Sequence, residues 1–250
     1  MSGTHGIAQP VRRREDVRLL TGAGRFADDV NRDGQAYASF VRSPVAHGTI
    51  RGIDMDAASK VPGVIAVFAG DDLAAAGVGH IVARWPKYQS AQIQSDPPLH
   101  TPRPGLAQGK VRHVGEAVVL VVAETRAQAD DGAAMVELDI EEHPAAVSIT
   151  DALAPGAPTV WDDAPGNIGQ VWHRGDREGA DAAFADAAHV TRLSLVNTRL
   201  AANPMEPRSS VVAWDGTDER FTLVASSQGV QYFMEILCEQ VFDIERTHMR

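Results

Sequence analysis

Ala117-Val118-Val119-Leu120-Val121-Val122-Ala123 is an unbroken apolar run, rich in β-branched residues and of the length of a fully buried central strand. Thr125-Arg126-Ala127-Gln128 follows at once. A hydroxyl three residues before a side-chain amide is a capping-box pattern, so a helix opens here and runs towards Met135. Val136-Glu137-Leu138-Asp139-Ile140-Glu141 then alternates apolar and acidic residues as a half-buried strand does, and His143-Pro144 ends it. A buried strand, a helix and a half-buried strand in succession form the strongest structural signal in the chain.

Upstream of this unit the signals are shorter. Ala36, Ala38 and Phe40 share one face of a strand and Tyr37, Ser39 and Val41 the other, the first face being the more apolar. Ser43-Pro44 ends that run, and Gly48 to Ile53 reads as the return strand. Asp54 can cap a short helix through Ala57-Ala58-Ser59-Lys60, which Pro62-Gly63 stops. Val64 to Phe68 is a short buried strand, and Asp71-Asp72 opens another short helix. Residues 77–108 carry Pro86, Pro97, Pro98, Pro102 and Pro104 and no sustained period, so they read as a long loop of the kind that carries function or simply varies. His80, Trp85, Tyr88 and His100 would line a pocket there or lie on the loop surface. Gly22-Ala23-Gly24-Arg25-Phe26-Ala27 matches the glycine spacing of a dinucleotide fingerprint. No strand precedes it, however, and Asp28-Asp29 would set negative charge where a pyrophosphate should sit, so a glycine turn is the better account.

Downstream, residues 148–179 hold Pro155, Pro158, Pro165 and several glycines and read as a linker. A short helix over 180–185 and a strand over His189–Leu195 come next. Asn203-Pro204-Met205-Glu206-Pro207-Arg208 follows, with two prolines that fix φ and push Asn203 and Glu206 towards extended conformations. Val211-Val212-Ala213-Trp214 and Arg220 to Ala225 read as strands joined at Asp215-Gly216. Ser226-Ser227-Gln228-Gly229 then leads into an amphipathic helix reaching about Phe242.

Composition narrows the function classes. The chain has 250 residues, 23 Lys+Arg against 33 Asp+Glu, and a net charge of −10. Such a balance lacks the clustered cations that nucleic acid requires. No apolar run is long enough to span a bilayer, and the polar N-terminus has no hydrophobic segment after Arg12-Arg13-Arg14, so a secretion signal is not expected. A single cysteine, Cys238, permits no internal disulfide, no cysteine-rich zinc site and no iron–sulfur cluster. Its place in the apolar period Val230, Phe233, Ile236, Leu237, Val241 makes it a core thiol. A cytoplasmic location fits. His113 and His143, at strand ends without a second ligand at short spacing, read as solvated or packed residues and not as metal ligands.

Several of these stretches, in this order, resemble the N-terminal part of the molybdopterin-binding large subunit of the xanthine oxidase and aerobic carbon monoxide dehydrogenase family. They are Gly22 to Asp29, Val41-Arg42-Ser43-Pro44-Val45-Ala46-His47, Val61-Pro62-Gly63-Val64, Gly109 to Glu116, Asn203 to Arg208 and Ser226 to Gly229. Where the family usually has Pro-Val-Ala after the Gly-Glu pair, this chain has Ala117-Val118-Val119. The resemblance implies an α+β fold: an N-terminal α/β hammerhead domain followed by the incomplete start of a molybdopterin-binding domain. The expected boundaries are an arm over 1–17, the hammerhead over 18–147, a linker over 148–179, and the first part of the molybdopterin-binding domain over 180–250, truncated or completed by another chain.

The resemblance also implies a role for Gln228, which in the family hydrogen-bonds an oxygen ligand of molybdenum, with Gly229 beside it at the cofactor. A primary amide suits that task because it offers two donors and an acceptor without adding charge. The alternative is a helix-terminal glutamine facing solvent. Glu206 is a supporting residue and not the base, since the family's catalytic glutamate lies much later than Arg250. The implied cofactor is molybdenum–molybdopterin shared with the remaining polypeptide, with FAD and 2Fe-2S clusters on partner subunits and no metal ligand on this chain. The implied function is a part in oxidative hydroxylation of an aldehyde, an N-heterocycle or a related small molecule. A non-catalytic assembly module that binds partner subunits is the competing reading, and a nucleotide-dependent enzyme resting on Gly22–Ala27 is a third. Cys238 does not match the position of the cysteine in the copper-containing carbon monoxide dehydrogenases.

Overall fold

The computed structural model describes residues 12–82, 93–95, 99–198 and 200–250. Helix α1 (Asp16–Leu20) leads through a turn and a short 3-10 segment (Ala27–Asp29) to strands β1 (Tyr37–Arg42), β2 (Gly48–Asp54) and β3 (Val64–Ala69), and then to helix α2 (Gly70–Ala75). A short strand β4 (Ile93–Ser95) precedes β5 (Lys110–Val111), β6 (Ala117–Ala123), helix α3 (Arg126–Ala134) and β7 (Glu137–Glu142). After these come α4 (Ile149–Leu153), β8 (Trp172–Arg174), α5 (Arg177–Asp186), β9 (Ser210–Asp215), β10 (Arg220–Ala225) and α6 (Val230–Ile236). The last of these continues as a π-helical turn over Leu237–Phe242.

The apolar run is the central strand, as expected. β6 lies between β1 and β3, antiparallel to both, and Val118, Val119, Val121 and Ala123 are fully buried. A second antiparallel sheet has the order β5-β2-β7. The core lies between the two sheets and α3: Val111, Val118, Val119 and Val121 at its centre, with Ile50, Ile53, Val67, Ala133, Leu138 and Ile140 packed around them. Each fully buried valine contributes about 1.5–3 kcal/mol relative to an exposed one. The clean alternation of β7 is realised, with Leu138 and Ile140 turned inward and the acidic residues outward.

Local chemistry sets the element ends. Thr125 caps α3, its hydroxyl accepting from the Gln128 amide at 3.3 Å. Gly63, at φ +86°, turns the chain ahead of β3 where any side chain would collide with Gln128. Gly132 lets α3 approach the sheet, since a Cβ there would meet Val121 and Val64 at 2.9 Å.

The more apolar face of β1 is the exposed one: Tyr37, Ser39 and Val41 are half-buried, while Ala38, Phe40 and Arg42 face outward. Helix α3 packs on the β1–β6 side of the sheet, and the covering element decides burial where both faces carry apolar residues. The Arg42 guanidinium lies 5.4 Å from the Phe40 ring centroid and shields it partly.

The stretch expected as a linker is held in place. The Asn167 side chain, at φ +56°, accepts from the Val160 amide at 2.8 Å and donates to the carbonyls of Ala152 and Pro158, each at 3.0 Å. Trp161 sits under Arg112, 4.1 Å from guanidinium carbon to ring centroid, and Lys110 donates to both carboxylate oxygens of Asp162 at 2.7 Å. That hydrogen bond and the Lys110 charge hold the Asp162 carboxyl below its ordinary value of 3.8. A depressed folded value means the contact stabilises fully above the unfolded value and is lost as pH falls through the folded one. Because Asp162 is largely exposed, the effect is small and screened by salt. Proteolysis within 155–170 should therefore quicken as pH drops below about 4, and Asp162→Asn should remove that dependence.

The strand expected over His189–Leu195 is not formed. Residues from Ala187 to Ser209 lack helix or strand among those described, and Leu193, Leu195, Val196, Leu200 and Met205 are all at least 79% exposed. A strand needs a neighbour to satisfy its backbone, and this segment has none among the described residues. β9 and β10 pair with each other, and β10 also bonds the C-terminal Met249–Arg250 segment, the Leu223 amide donating to Arg250 O at 2.8 Å and the Arg250 amide to Phe221 O at 3.0 Å.

Candidate functional site

Gly22, at φ +73°, turns the chain after α1, and Asp29 accepts from the Phe26 amide at 2.9 Å to close the 3-10 segment. The dinucleotide look-alike is therefore a turn between two short helical pieces, with no strand ahead of it. This turn packs against β9 and presents the Ala27 amide towards Glu206 Oε1, 3.5 Å away.

Glu206 joins three stretches that are far apart in sequence. The same Oε1 accepts from the Ser226 hydroxyl at 2.9 Å. Asn203–Arg208, Ser226–Gly229 and the Gly22–Ala27 turn thus converge on one carboxylate oxygen. Glu206 is half-buried between them, while Ser226, Ser227, Gln228 and Gly229 are exposed. No hydrogen bond from the Gln228 amide to another described residue is formed. Gly229, extended at φ −158°, is the N-cap of α6. Gln228 therefore stands at the junction of a strand and a helix, anchored two residues upstream and presenting an unspent amide outward.

α6 is fixed at its far end. Its π-helical turn ends at Asp243 in the left-handed conformation, φ +50°, and the Ile244 amide donates to Cys238 O at 3.0 Å. Cys238 is fully buried with its Sγ 3.9 Å from Met249 Sδ. Burial pushes the thiol up, with nearby Arg246 opposing and Glu239 adding to the shift. The core-thiol expectation stands: a protonated, enclosed sulfur is inert. A disulfide reagent should label Cys238 at least about a hundredfold more slowly than it labels the same chain in denaturant; equal rates would contradict the placement.

The other candidates separate. His143 is packed, its Nε2 2.8 Å from Thr49 Oγ1 and its ring edge-on to His47 at 5.5 Å, whereas His113 is mostly exposed. Of the four loop residues, His80 is half-buried and His100 exposed, and Trp85 and Tyr88 lie outside the described residues. A cleft of about 320 Å³ at Gly52–Asp54 and Glu137–Asp139 includes none of the candidates. Among the described residues no group of three His, Cys, Asp or Glu side chains could hold a metal ion, and no helix is long and apolar enough to cross a membrane. The Gln228 side chain is exposed and bonds no other described residue. Its neutral amide is mounted on a junction braced by the Glu206–Ser226 hydrogen bond.

Residues 21–144 match the family described as aldehyde oxidase and xanthine dehydrogenase, a/b hammerhead domain, and residues 160–250 match the molybdopterin cofactor-binding domain. The chain belongs to the xanthine oxidase family of molybdopterin-binding large subunits. Its fold is accordingly a hammerhead domain followed by part of a molybdopterin-binding domain. It is 39% identical over 228 residues to the nicotine 6-hydroxylase large subunit of Paenarthrobacter nicotinovorans, covering 90% of this chain and 26% of that protein. The carbon monoxide dehydrogenase large chain of Hydrogenophaga pseudoflava is 28% identical over 86% of this chain and 26% of its own length. Among solved structures, quinoline 2-oxidoreductase from Pseudomonas putida 86 superposes with a TM-score of 0.80 at 32% identity, covering 96% of this chain and 29% of that one. The chain spans about a quarter of the length of these curated relatives. Both curated relatives are named as the large subunit or large chain of their enzymes.

The convergence on Glu206 was not legible in advance, because it joins residues 20 and 179 positions apart. The available signal was the pair of prolines around Met205-Glu206, which marks a rigid presentation without naming what it is presented to.

Proposed function

We propose that this chain corresponds to the N-terminal portion of a molybdenum hydroxylase large subunit. In this reading Gln228 and Gly229 contribute to the molybdopterin site, and residues 18–147 and 180–250 are its two domains. The observation that carries it is the Glu206–Ser226 hydrogen bond, which braces the strand–helix junction and leaves the Gln228 amide unpartnered at its tip. When bound, molybdenum–molybdopterin supplies the two-electron oxidation of an electron-poor carbon in an aldehyde, an N-heterocycle or a related small molecule.

The chain's own residues orient and hold. The Gln228 amide, with two donors and an acceptor, would hydrogen-bond the bound group and orient it without adding charge there. Glu206 is a brace and not a base: its Oε1 is engaged by Ser226 and faces the Ala27 amide. Proton abstraction falls to a group on the remaining polypeptide. That polypeptide also covers Leu193, Leu195, Val196 and Leu200, which are 79–88% exposed in this chain. Electrons leave through an iron–sulfur subunit to an FAD subunit, in the cytoplasm.

The test is the source of the product oxygen. The complex assembled with its companion chains should oxidise a panel of aldehydes and N-heterocycles with an artificial acceptor in ¹⁸O-water, and the product should carry the label. Oxygen derived from dioxygen would overturn the assignment. A complex that assembles stably yet holds no pterin would favour the assembly-module reading.

A further inference from the structure

We propose that Gly79 and Gln240 form a clasp through which the hammerhead domain positions α6, the helix that follows Gln228. The proposal rests on the reading of Gln228 given above. Two hydrogen bonds cross between the domains at this point. The Gly79 amide donates to the Val241 carbonyl at 2.6 Å, and the Val82 amide donates to Gln240 Oε1 at 2.9 Å. Both acceptors lie in the π-helical turn Leu237–Phe242.

The turn and the clasp explain one another. The last carbonyls of a helix have no partner within it. In a π-helical turn the bonds reach one residue further, so Cys238 O takes the Asp243 and Ile244 amides and the Gln240 and Val241 carbonyls are turned outward. Gly79 meets them. A Cβ at residue 79 would collide with the Gln240 carbonyl oxygen, so only glycine allows this approach. The left-handed Asp243, strained for a residue with a side chain, is then the local cost of ending the helix there.

The consequence for the site is geometric. Glu206 holds the junction before Gln228, and the Gly79–Gln240 clasp holds the helix after it. The helix is pinned to the hammerhead at one end and its start is pinned at the other, so the Gln228 amide is set by two anchors and not by its own rotamer alone. Gly79 and Gln240 are positioning residues.

The test combines amide exchange with a mutant cycle. Hydrogen-exchange mass spectrometry on the full chain should show Gly79→Ala accelerating exchange over 230–242 about tenfold, the effect of losing one bonded backbone pair, with 117–134 unchanged. Gly169→Ala, where a Cβ meets open space, should match the wild type. Gln240→Ala, which removes only the Val82 acceptor, should give a smaller acceleration that Gln240→Glu reverses; this pair decides the matter should Gly79→Ala fail to fold. In the assembled enzyme, Gly79→Ala should lower kcat with KM unchanged, and should add nothing in a Gln228→Ala background. Unchanged exchange over 230–242 in both Gly79→Ala and Gln240→Ala would overturn the clasp. Additive losses of kcat would overturn its positioning role. An assembly that holds no molybdenum would sink the cofactor reading and with it the positioning role, and the exchange result would still decide the clasp.

Discussion

Gln228→Ala should lower the kcat of the assembled enzyme by about a hundredfold to a thousandfold, the range seen when one preorganised hydrogen-bonding group is deleted from a reacting centre. KM should change little, because an amide that orients a group at the centre need not bind the substrate. Stability should be untouched: Gln228 is exposed and bonds no described residue, and surface substitutions of that kind shift stability by less than about 0.5 kcal/mol. Molybdenum content should also persist, because the proposed role makes this amide an orienting group and not a ligand. Gln228→Glu tests the charge argument. It keeps the length but replaces a donor with a negative charge, and should be at least as damaging as alanine. The measurement is steady-state turnover alongside metal analysis and thermal melting of the same preparations. Full activity in Gln228→Ala would remove Gln228 from the site, whatever became of the family assignment.

Val121→Asp should prevent the hammerhead domain from folding. Val121 is fully buried in the central strand, and its Cγ1 faces the glycine that lets α3 approach. A carboxylate there finds no cation and no spare donor, and an uncompensated buried charge costs roughly 3–5 kcal/mol or more. That approaches the whole stability of about 5–15 kcal/mol that a domain commonly has. Val121→Ala removes only methyl groups and should cost about 2 kcal/mol, the lower range for large-to-small core changes. Circular dichroism with urea titration distinguishes the two. A folded Val121→Asp chain with a midpoint near wild type would mean the strand is not the centre of the core.

The parts legible in the sequence were those whose signal is local. Ala117–Ala123 offers no polar face and so had to be a central strand, with Val118, Val119, Val121 and Ala123 fully buried and Leu120 and Val122 half-buried. Thr125 and Gln128 marked the start of α3, and the acidic alternation of 137–141 marked which side of β7 meets water. The face of β1 was not legible for a definite reason. Phe40 and Val41 are both apolar, so the choice between them is made by the position of α3, which is tertiary information. The region 189–195 has the composition of a strand, but forming one needs a neighbouring strand, and none is present among the described residues. The Lys110–Asp162 and Arg112–Trp161 contacts that dock residues 148–179 depend on pairs about 50 positions apart, and proline and glycine content alone could not announce them.

The site divides in the same way. Gln228 stood out through its motif and its place before a helix, and the structure puts it at a strand–helix junction with a free amide. What holds it there was hidden. Glu206 works through one oxygen shared between distant segments, and Gly79 looked like one more glycine in a long loop. A π-helical turn has no composition of its own to betray it, since it is made by the partner that takes up its carbonyls.

The most direct test of the central claim is the metal content of the native complex. The assembled protein should be purified with its companion chains, its subunits counted by native mass spectrometry, and its molybdenum and released pterin measured on the same sample. Molybdenum and pterin in stoichiometric amount with this chain are the predicted result. A complex that retains every chain and contains neither would contradict the account.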